Sequence, residues 1–393
     1  MKILVISPRF PYPLEKGDKL RLYHQLRLLS NNFEIVLLSL SDTKIEEKDL
    51  EHIKSFVSKV YIFPLVKFKI AIRLLFGIFS NKPFQILYFF NKNYKKKIKE
   101  IIENEKPDLI YNQLIRTAEY SRELKYFKII DYMDSFSEGM RKRLDNSSFL
   151  FQMLYKEEYK RLKKYETEIF NDFDKHSIIS EQDKNTFAKE IKDKLKIVPN
   201  GVDMNFFQPL GKKKIYDISF VGNMGYRPNI IACEYFDKNI LPLLKKENKD
   251  IKIILAGARP HSRVKSLENS NIFVSGWMED IRDAYDKSKI FVAPIFTGIG
   301  QQNKILEAMS MELPVVTTSA VNKAIGAQPE KEIIVADTEQ EFADSILKLL
   351  KDPEFAEQTG KAGRKFVQDN YSWDYQSAKL LDLFSGNFIQ KTV

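Results

Sequence analysis

Short apolar runs alternate with helix-like segments along almost the whole chain, and this alternation limits the possible folds more than any other feature. Twelve runs have the length and composition of buried strands: KILVIS, FEIVLLSL, KVYIFP, DLIYN, KIIDYM and HSIIS in the first half, then DISFVG, IKIILAG, NIFVSG, KIFVAPI, LPVVTTS and EIIVAD. The segments between them favour helices, as in KLRLYHQLRLLS, where Leu22, Leu26 and Leu29 share one face. The pattern predicts an α/β fold in which helices cover parallel sheets.

The stretch IVPNGVDMNFFQP, residues 197–209, separates the two series of strands and is followed by the basic segment GKKK. A chain of 393 residues is too long for one ordinary core, so we expect two domains. We predict two Rossmann-like, doubly wound domains facing a central cleft, over residues 1–195 and 196–370. A C-terminal helix, residues 371–393, is expected to pack back on the first domain. Ligands of such sheets bind outside the carboxyl ends of the strands.

The sequence GIGQQNKILEAMSMELPVV, residues 298–316, joins a glycine loop, a helix start and a buried strand, and it predicts an anion site. With Asn303 as the helix N-cap, Lys304 falls in the first turn, where the helix macrodipole disfavours a cation. A bound phosphate reverses this effect, because free backbone donors at the helix start and Lys304 then act together on one anion.

Glu307 follows Lys304 by three residues on the same helical face, an offset that suits a ribose next to a diphosphate. The phosphate itself would be cradled by backbone N–H groups of the preceding loop, which contains Gly298, Ile299, Gly300 and Gln301. A generic strand-to-helix loop followed by a solvated Lys–Glu pair explains the same pattern. A dinucleotide-binding loop fits less well, since GIGQQN lacks the third glycine of that fingerprint.

Two further strand ends in the second half are candidates for contacts with the same anionic ligand. FVGNMGYRPN places Gly222 and Asn223 at the end of a strand and Arg227 at the start of a helix, where the guanidinium would bridge a diphosphate. NIFVSGWMEDI places Trp277 at the end of another strand, where its indole would meet a flat base. Each of these signals is weak by itself.

The first half offers Gly17 and Asp134. Gly17 precedes a helix start in SPRFPYPLEKGDKLR and predicts a second anion-binding turn, or else a surface loop with Asp18 as N-cap. Asp134 follows the strand KIID, where a carboxylate would take a proton from a hydroxyl or hold a sugar hydroxyl, or would cap the next segment. The four histidines show no pairing with a nucleophile.

Basic and aromatic residues are concentrated between His52 and Lys99. This stretch contains eleven Lys or Arg and eleven aromatic residues but no Asp or Glu, within a chain of net charge +10. The composition suits peripheral contact with an anionic membrane, although a basic, partly buried helix pair has the same composition. Nucleic acid is not expected as a partner, because no nucleic-acid-binding module accompanies the stretch.

Other sequence signals bear on cofactors and compartment. One cysteine, Cys233, excludes a disulfide framework and fits a reducing compartment. Asp172 and Asp174 have the spacing of a metal-nucleotide motif but lack a second carboxylate cluster, so we expect no metal and no cofactor. The N-terminal run MKILVIS is too short for a signal peptide and the longest apolar stretch is too short for a membrane span. We expect a cytoplasmic protein in contact with the inner face of the membrane.

Together the motifs resemble those of retaining GT-B glycosyltransferases, in the large group of bacterial polysaccharide and glycolipid sugar transferases known as glycosyl transferases group 1. KILEAMSMELPVV is similar to the most characteristic motif of that group, IVPNGVD to its interdomain signature, and FVGNMGYRPN to its first C-terminal strand and turn. PRFPYPLEKGDKLR resembles the N-terminal loop of exopolysaccharide-associated members. The resemblance covers nearly the whole chain.

The resemblance implies that the second domain holds a nucleotide-sugar, that the first binds the acceptor, and that no metal is obligatory. By position, Glu307 would bind the ribose hydroxyls and Lys304 the diphosphate, while Gly17 would approach the phosphates from the first domain. Helix dipole and basic side chains would stabilise the leaving nucleoside diphosphate. Asp134, Lys304 and Glu307 are thus the predicted catalytic residues.

The sequence departs from the family pattern in three features. A second glutamate is common eight positions before Glu307, where this chain has Ile299. The usual Arg and Lys after the first C-terminal strand are replaced by Asn223 and, approximately, Arg227. The histidine common in the first domain aligns roughly with Asp134.

From these signals we predict metal-independent, retaining transfer of a sugar, as in a hexosyltransferase, from a nucleoside-diphosphate-sugar to a hydroxyl of a glycan or lipid-linked acceptor. Uridine is the preferred base, from family frequency. The expected setting is the synthesis of cell-surface polysaccharide, capsule, lipopolysaccharide or other glycolipid. The alternative, motivated by the missing glutamate and histidine, is a catalytically weak nucleotide-sugar-binding subunit of a glycan assembly complex.

Overall fold

The structure is a computed structural model that describes residues 1–144, 149–296 and 302–385. The chain divides into two compact units. The first comprises Met1–Pro199 together with the chain from Ser377 onward, and the second comprises Asn200–Gln376. The sequence-based limits at residues 195 and 370 lie a few residues before each of these changes.

Seven parallel strands form the sheet of the first unit in the described residues. They are β1 (Lys2–Ser7), β2 (Glu34–Ser41), β3 (Lys59–Pro64), β4 (Leu109–Gln113), β5 (Phe127–Asp131), β6 (Lys175–Ile178) and β7 (Leu195–Ile197). Their order across the sheet is β3-β2-β1-β4-β5-β6-β7, and the register of β1 with β2 pairs Lys2 with Glu34 and Ser7 with Ser39. The strand order reverses between β1 and β4, which creates a switch point where the loops diverge.

Helices cover both faces of this sheet. They are α1 (Gly17–Ser30), α2 (Glu47–Lys54), α3 (Lys67–Phe76), α4 (Phe84–Phe89), α5 (Lys92–Glu105), α6 (Phe136–Leu144), α7 (Phe149–Glu168), α8 (Glu181–Lys184) and α9 (Lys189–Lys192), with 3-10 helices at Gly77–Phe79, Ile115–Tyr120 and Ile169–Asp172. Alternate residues of β1 enter opposite cores: Ile3 packs in the core that contains Leu22 of α1, and Leu4 in the core that contains Ile70 of α3 and Ile98 of α5. Because both faces are buried, the strands are continuously apolar.

The second unit repeats the design with six parallel strands in its described residues. They are β8 (Tyr216–Val221), β9 (Ile253–Ala256), β10 (Ile272–Gly276), β11 (Ser288–Ala293), β12 (Val315–Thr317) and β13 (Ile334–Val335). Their order is β10-β9-β8-β11-β12-β13, so the switch point lies between β8 and β11. This is the strand order of the dinucleotide-binding doubly wound sheet.

The remaining helices pack around the second sheet and then return to the first unit. They are α10 (Arg227–Tyr235), α11 (Leu241–Glu247), α12 (Ser262–Lys265), α13 (Arg282–Asp286), α14 (Asn303–Ser310), α15 (Ser319–Ile325), α16 (Glu339–Lys351), α17 (Pro353–Tyr371) and α18 (Trp373–Leu383), with a π-helix at Phe236–Ile240. Leu380, Leu383 and Phe384 are buried in the core that α1 forms with the first sheet. The Phe384 ring centroid lies 5.3 Å from that of Tyr111.

The predicted α/β class, with two doubly wound parallel sheets, is confirmed. All twelve predicted strands are present, and β7, an edge strand that ends at the first residue of IVPNGVD, was not predicted. It contains Lys196 and follows the charged stretch KEIKDK, so it lacks the continuous apolar run that indicates the other strands. In the described parts of the chain every helix is too short or too polar to cross a bilayer.

Candidate functional site

Two glycines meet at the carboxyl ends of β8 and β9. The Gly222 N–H donates a hydrogen bond to the Ala256 carbonyl over 3.0 Å. Gly257 has a φ of 139°, and a methyl group on its Cα would lie 1.8 Å from the Gly222 carbonyl oxygen. Only residues without Cβ allow the backbones to come this close. The two turns therefore pack directly on each other beside the β8–β11 switch point.

Lys304 extends from the first turn of α14 to this same place. A methyl group on Gly222 would lie 3.3 Å from Lys304 Nζ and 2.7 Å from Asn229 Nδ2. The ammonium donates to Asn229 Oδ1 and lies 4.9 Å from the centre of the Phe220 ring, while Asn229 Nδ2 donates to the Asn223 carbonyl over 2.9 Å. Loss of hydration lowers the pKa of Lys304 to about 8, and the nearby charge of Glu307 only partly offsets this.

Glu307 lies one turn further along α14 and is held by a tyrosine. The Tyr285 hydroxyl, from α13, donates to Glu307 Oε2 over 2.8 Å. Burial raises the pKa of Glu307 above its ordinary value, and the Tyr285 hydrogen bond and the charge of Lys304 counter that rise. With one carboxylate oxygen occupied by Tyr285, the other is suited to accept hydrogen bonds from a ligand hydroxyl.

The start of α14 differs from its prediction by one residue. Asn303 is the first residue of the helix rather than its N-cap, so that assignment is wrong. Gln302 has the non-helical backbone of the cap position, with φ of −95° and ψ of 87°. Lys304 nevertheless remains in the first turn. The predicted phosphate-cradling residues Gly298, Ile299, Gly300 and Gln301 lie outside the described residues.

The other residues of the second unit that were predicted to bind the nucleotide-sugar are solvent-exposed. Asn223 follows Gly222, and its Oδ1 accepts a hydrogen bond from the Gly225 N–H over 3.0 Å. Arg227 is the first residue of α10 and is exposed. Trp277 follows β10 and is 73% exposed. The carbonyl of Gly276, the residue before it, accepts a hydrogen bond from the Gly257 N–H over 3.2 Å, so the end of β10 adjoins the Gly222–Gly257 turns. The contact of Trp277 with a base stays a prediction.

Four residues of this region escaped the sequence analysis: Asn229, Tyr285, Gly257 and Arg259. Asn229 and Tyr285 hold the two predicted site residues, but they come from other helices and have no motif of their own. Gly257 and Arg259 could have been predicted from the sequence. The segment AGARP directly follows an apolar strand, as do the other loops in which candidate site residues were predicted. Arg259 has a left-handed backbone with φ of 55°, an exposed side chain, and a carbonyl oxygen packed against Gly225.

In the first unit a buried ion pair organises the strand ends. Arg21 of α1 and Asp131 of β5 are both fully buried, and Arg21 Nε donates to Asp131 Oδ2 over 2.6 Å. Tyr111 and Ser177 donate to the same carboxylate over 3.2 Å and 2.9 Å. Burial would raise the pKa of Asp131, but the charge and hydrogen bonds of Arg21 outweigh it and hold that pKa below its ordinary value.

Gly17 and Asp134, the predicted site residues of this unit, lie near each other beyond these strand ends. Gly17 begins α1, and a methyl group on it would lie 3.5 Å from Met133 Cε, in the residue before Asp134. The Asp134 residue is exposed at the surface. Desolvation of its carboxylate by the surrounding atoms, together with the negative charge of Asp183, raises its pKa to about 6. A carboxylate with such a pKa is a suitable proton acceptor near neutral pH.

Among the described residues no group of three or more His, Cys, Asp and Glu side chains is arranged to hold a metal ion. Asp172, which has the spacing of a metal-nucleotide motif with Asp174, forms an ion pair with Arg122 over 2.7 Å. The expectation that the chain uses no metal and no cofactor stays a prediction.

A known protein family matches most of the second unit. Residues 216–352 match the family Glycosyl transferases group 1. A curated protein of Klebsiella pneumoniae, called an uncharacterized 44.6 kDa protein in the cps region, is 25% identical over 395 residues, covering 94% of this chain and 96% of that protein.

Solved structures share the architecture of the chain over 98% of its length. Sucrose-phosphate synthase from Thermosynechococcus elongatus has a TM-score of 0.66 at 14% identity, with 98% of that chain covered. Anabaena HepE in complex with UDP has a TM-score of 0.67 at 13% identity, with 99% covered. A Staphylococcus aureus TarM mutant in complex with fondaparinux, alpha-GlcNAc-glycerol and UDP has a TM-score of 0.68 at 12% identity, with 100% covered. At these identities the likeness establishes the fold.

The family match therefore coincides with the unit that contains Lys304 and Glu307, and the structural likeness extends over both units. Residues 216–352 of the second unit thus match the glycosyl transferases group 1, and the chain has the GT-B fold over 98% of its length.

Proposed function

We propose that the chain is a retaining, metal-independent glycosyltransferase of the hexosyltransferase type. It transfers a sugar from a nucleoside-diphosphate-sugar, with UDP as the preferred nucleotide, to a hydroxyl of a glycan or lipid-linked acceptor. The observation that carries the proposal is the cluster of Lys304, Asn229 and Gly222 at the β8–β11 switch point, with Glu307 one turn away.

The surroundings of Lys304 favour a diphosphate ligand. In the described part of the chain no carboxylate lies within ion-pair distance of the ammonium, and its hydrogen-bond partner is the neutral amide of Asn229. A half-buried cation whose charge is only partly offset, here by Glu307, costs free energy, which an anionic ligand would recover. The lowered pKa reports the same cost. During transfer, this ammonium would stabilise the charge that develops on the leaving nucleoside diphosphate.

Glu307 would fix the nucleoside half of the donor. The Tyr285 hydrogen bond orients the carboxylate, and ribose hydroxyls would donate to its remaining acceptor sites. Exposed Arg227 and Arg259 flank the same loops and would add positive charge near the diphosphate. The UDP and UDP-glucose complexes of Anabaena HepE, which has this fold, support UDP as the nucleotide.

The acceptor is proposed to meet the first unit near Gly17 and Asp134. A carboxylate with a pKa of about 6 is ionised at neutral pH and would accept or orient the proton of the attacking hydroxyl. The relative from a cps region of Klebsiella pneumoniae supports a setting in cell-surface polysaccharide synthesis.

A transfer assay with Lys304→Ala and Glu307→Ala variants tests the proposal. The protein is incubated with a panel of nucleotide-sugars, and transfer and donor hydrolysis are followed by mass spectrometry. Each substitution should lower turnover by on the order of 100-fold, as loss of a transition-state charge contact does. Lys323→Ala, which removes an exposed lysine of α15 in the same unit, is the matched control and should leave turnover unchanged.

The alternative is a nucleotide-sugar-binding subunit with little or no catalysis, and the loss of the second family glutamate at Ile299 motivates it. It predicts tight nucleotide binding in the wild-type protein with neither transfer nor hydrolysis of any donor. Measurable turnover that depends on Lys304 and Glu307 would exclude it. Folded protein that neither binds nor turns over any nucleotide-sugar would contradict both functions.

A further inference from the structure

An apolar stripe is exposed along α3 and the 3-10 helix that follows it. Its five residues are Phe68 at 74% exposure, Ile72 at 41%, Leu75 at 64%, Phe76 at 68% and Phe79 at 90%. We call these five side chains the α3 stripe. Helices of soluble proteins usually present polar residues on the face away from the core, so a continuous apolar face of this kind indicates a binding surface.

Helix geometry shows that α3 has two opposite apolar faces. At about 100° per residue, the α3 stripe occupies an arc of about 100° centred near Phe68 and Phe79. The opposite side contains Ile70, which is 3% exposed and packs in the core with β1 and α5. Packing in the core therefore explains the apolar residue on the Ile70 face. It does not explain the α3 stripe, which is exposed and has no packing partner in the described residues.

Two lysines flank the stripe. Lys67 and Lys69 lie about 100° to either side of Phe68 on the helix. Both side chains are exposed, and neither forms an ion pair within the residues that the structure describes. Lysines in this position bury their aliphatic stems against apolar material and extend the ammonium groups to an interface.

Several basic residues between residues 52 and 99 form ion pairs or hydrogen bonds within the chain and are therefore not available to a binding partner. Most of the eleven basic residues predicted as one patch between residues 52 and 99 do not flank the stripe. The pairs that neutralise some of them are Lys59 with Glu105, Lys82 with Glu119 and Lys95 with Glu123. The Arg73 guanidinium donates to the backbone carbonyls of Phe90 and Tyr88. Lys54, Lys92, Lys96 and Lys97 are also exposed and form no ion pair in the described residues, but they lie outside α3. Lys67 and Lys69 lie on α3 itself, so the apolar face and its adjacent charges fall within residues 67–79.

The stripe is held rigidly in place. Arg73 fastens α3 to the end of α4 through the two carbonyls just named, the bond to Tyr88 measuring 3.0 Å. Arg161 of α7 donates to the carbonyls of Gly77 and Ile78 over 2.8 Å and 3.2 Å and so fixes the 3-10 helix. An apolar face that is already ordered loses little conformational entropy on binding.

We propose that the α3 stripe, with Lys67 and Lys69, docks the chain on an anionic lipid bilayer. The aromatic and aliphatic side chains would enter the boundary between headgroups and acyl chains, while the lysines would contact anionic headgroups. The combination of an apolar face with unpaired cations on both of its sides favours a lipid surface. The surface belongs to the first unit and does not include the nucleotide-binding residues, so this inference is independent of the proposed function.

Vesicle co-sedimentation of the full chain tests the inference. The wild-type protein is mixed with phosphatidylcholine vesicles with and without phosphatidylglycerol, at low and high salt. We expect binding that requires phosphatidylglycerol and weakens as salt increases. Phe68→Ser/Phe76→Ser/Phe79→Ser should weaken binding on the order of tenfold or more. Lys67→Glu/Lys69→Glu should weaken it by at least about fivefold per lysine.

Matched controls come from the second unit. Phe273→Ser removes an aromatic ring that is 46% exposed, and Lys245→Glu/Lys246→Glu reverses two exposed lysines of α11. Both controls should bind vesicles as the wild type does. Circular dichroism and urea unfolding of every variant show whether it is folded, and neither measurement depends on a ligand.

Several results would overturn the inference. These are wild-type protein that does not sediment with anionic vesicles, stripe or lysine variants that bind as tightly as the wild type, and equal binding to neutral and anionic vesicles. Binding to native membranes but not to protein-free vesicles would also overturn it, because the partner would then be a protein.

Discussion

Lys304 is a half-buried ammonium group whose hydrogen-bond partner is a neutral amide, and this makes its protonation sensitive to a ligand. Desolvation lowers its pKa to about 8, within the range of ordinary buffers. Its folded-state pKa lies below the value of an exposed lysine, so the free protein begins to lose this proton as the pH rises through 8. A bound diphosphate favours the charged form and opposes that loss.

UDP affinity should therefore depend on pH in alkaline solution. Because only protonated Lys304 offers a positive charge, affinity should be nearly constant below about pH 8 and then fall towards a limit of about tenfold per pH unit. Isothermal titration calorimetry with UDP from about pH 7 to about pH 9.5 measures this. The Lys323→Ala control should show the same profile as the wild type. A wild-type affinity that stays constant across the range would contradict the role given to Lys304.

For individual residues, the sequence predicted the charged side chains of the site but not the side chains that hydrogen-bond to them. Spacing within one helix placed Lys304 and Glu307 on one face, and that arrangement is local. Asn229 lies 75 residues before Lys304 and Tyr285 lies 22 residues before Glu307, on other helices. Such contacts arise only when the sheet brings those helices together, so no local pattern in the sequence reports them.

The turn after β9 is the element on which the nucleotide cluster rests. Gly257 combines a positive φ with direct backbone contact to Gly222, so any side chain there must displace the turn that positions Lys304 and Asn229. We expect Gly257→Ala to lower the free energy of unfolding by at least about 3 kcal/mol, since strain and overpacking add together. Urea unfolding of the variant measures the change.

Gly211→Ala separates the two causes. Gly211 has a φ of 71° but no atom within 4 Å of the position a methyl group would occupy. Its replacement should cost only about 1–2 kcal/mol, the backbone penalty alone. Equal losses in Gly257→Ala and Gly211→Ala would show that close packing of Gly257 on Gly222 is unimportant.

Element boundaries show where sequence patterns stop being informative. The twelve predicted strands lie in apolar runs with turn residues on both sides, and each is present, including β13 with only two residues. β7 differs because Lys196 interrupts its apolar residues and because it lies at the sheet edge, where fewer neighbours require an apolar side chain. The N-cap of α14 is Gln302 and not the predicted Asn303. The prediction failed because the cap position depends on backbone geometry, which side-chain identity alone does not determine.

For the whole molecule, alternation of strands and helices was sufficient to predict two doubly wound sheets, because few other folds bury so many parallel strands. The order of the strands, and so the switch point between β8 and β11, came only with the structure. The charge distribution is a similar case. Composition indicated a basic, aromatic region at residues 52–99. The structure shows that some of its cations form internal ion pairs and that its exposed apolar side chains on α3 lie next to Lys67 and Lys69.

A crystal structure of the full chain with UDP tests the central claim most directly. We predict a diphosphate oxygen within about 3.2 Å of Lys304 Nζ and ribose hydroxyls hydrogen-bonded to the Glu307 carboxylate. Tyr285 should keep its hydrogen bond to that carboxylate. UDP bound elsewhere, with Lys304 contacting only Asn229 and Glu307 contacting only Tyr285, would contradict the assignment of this cluster as the nucleotide site.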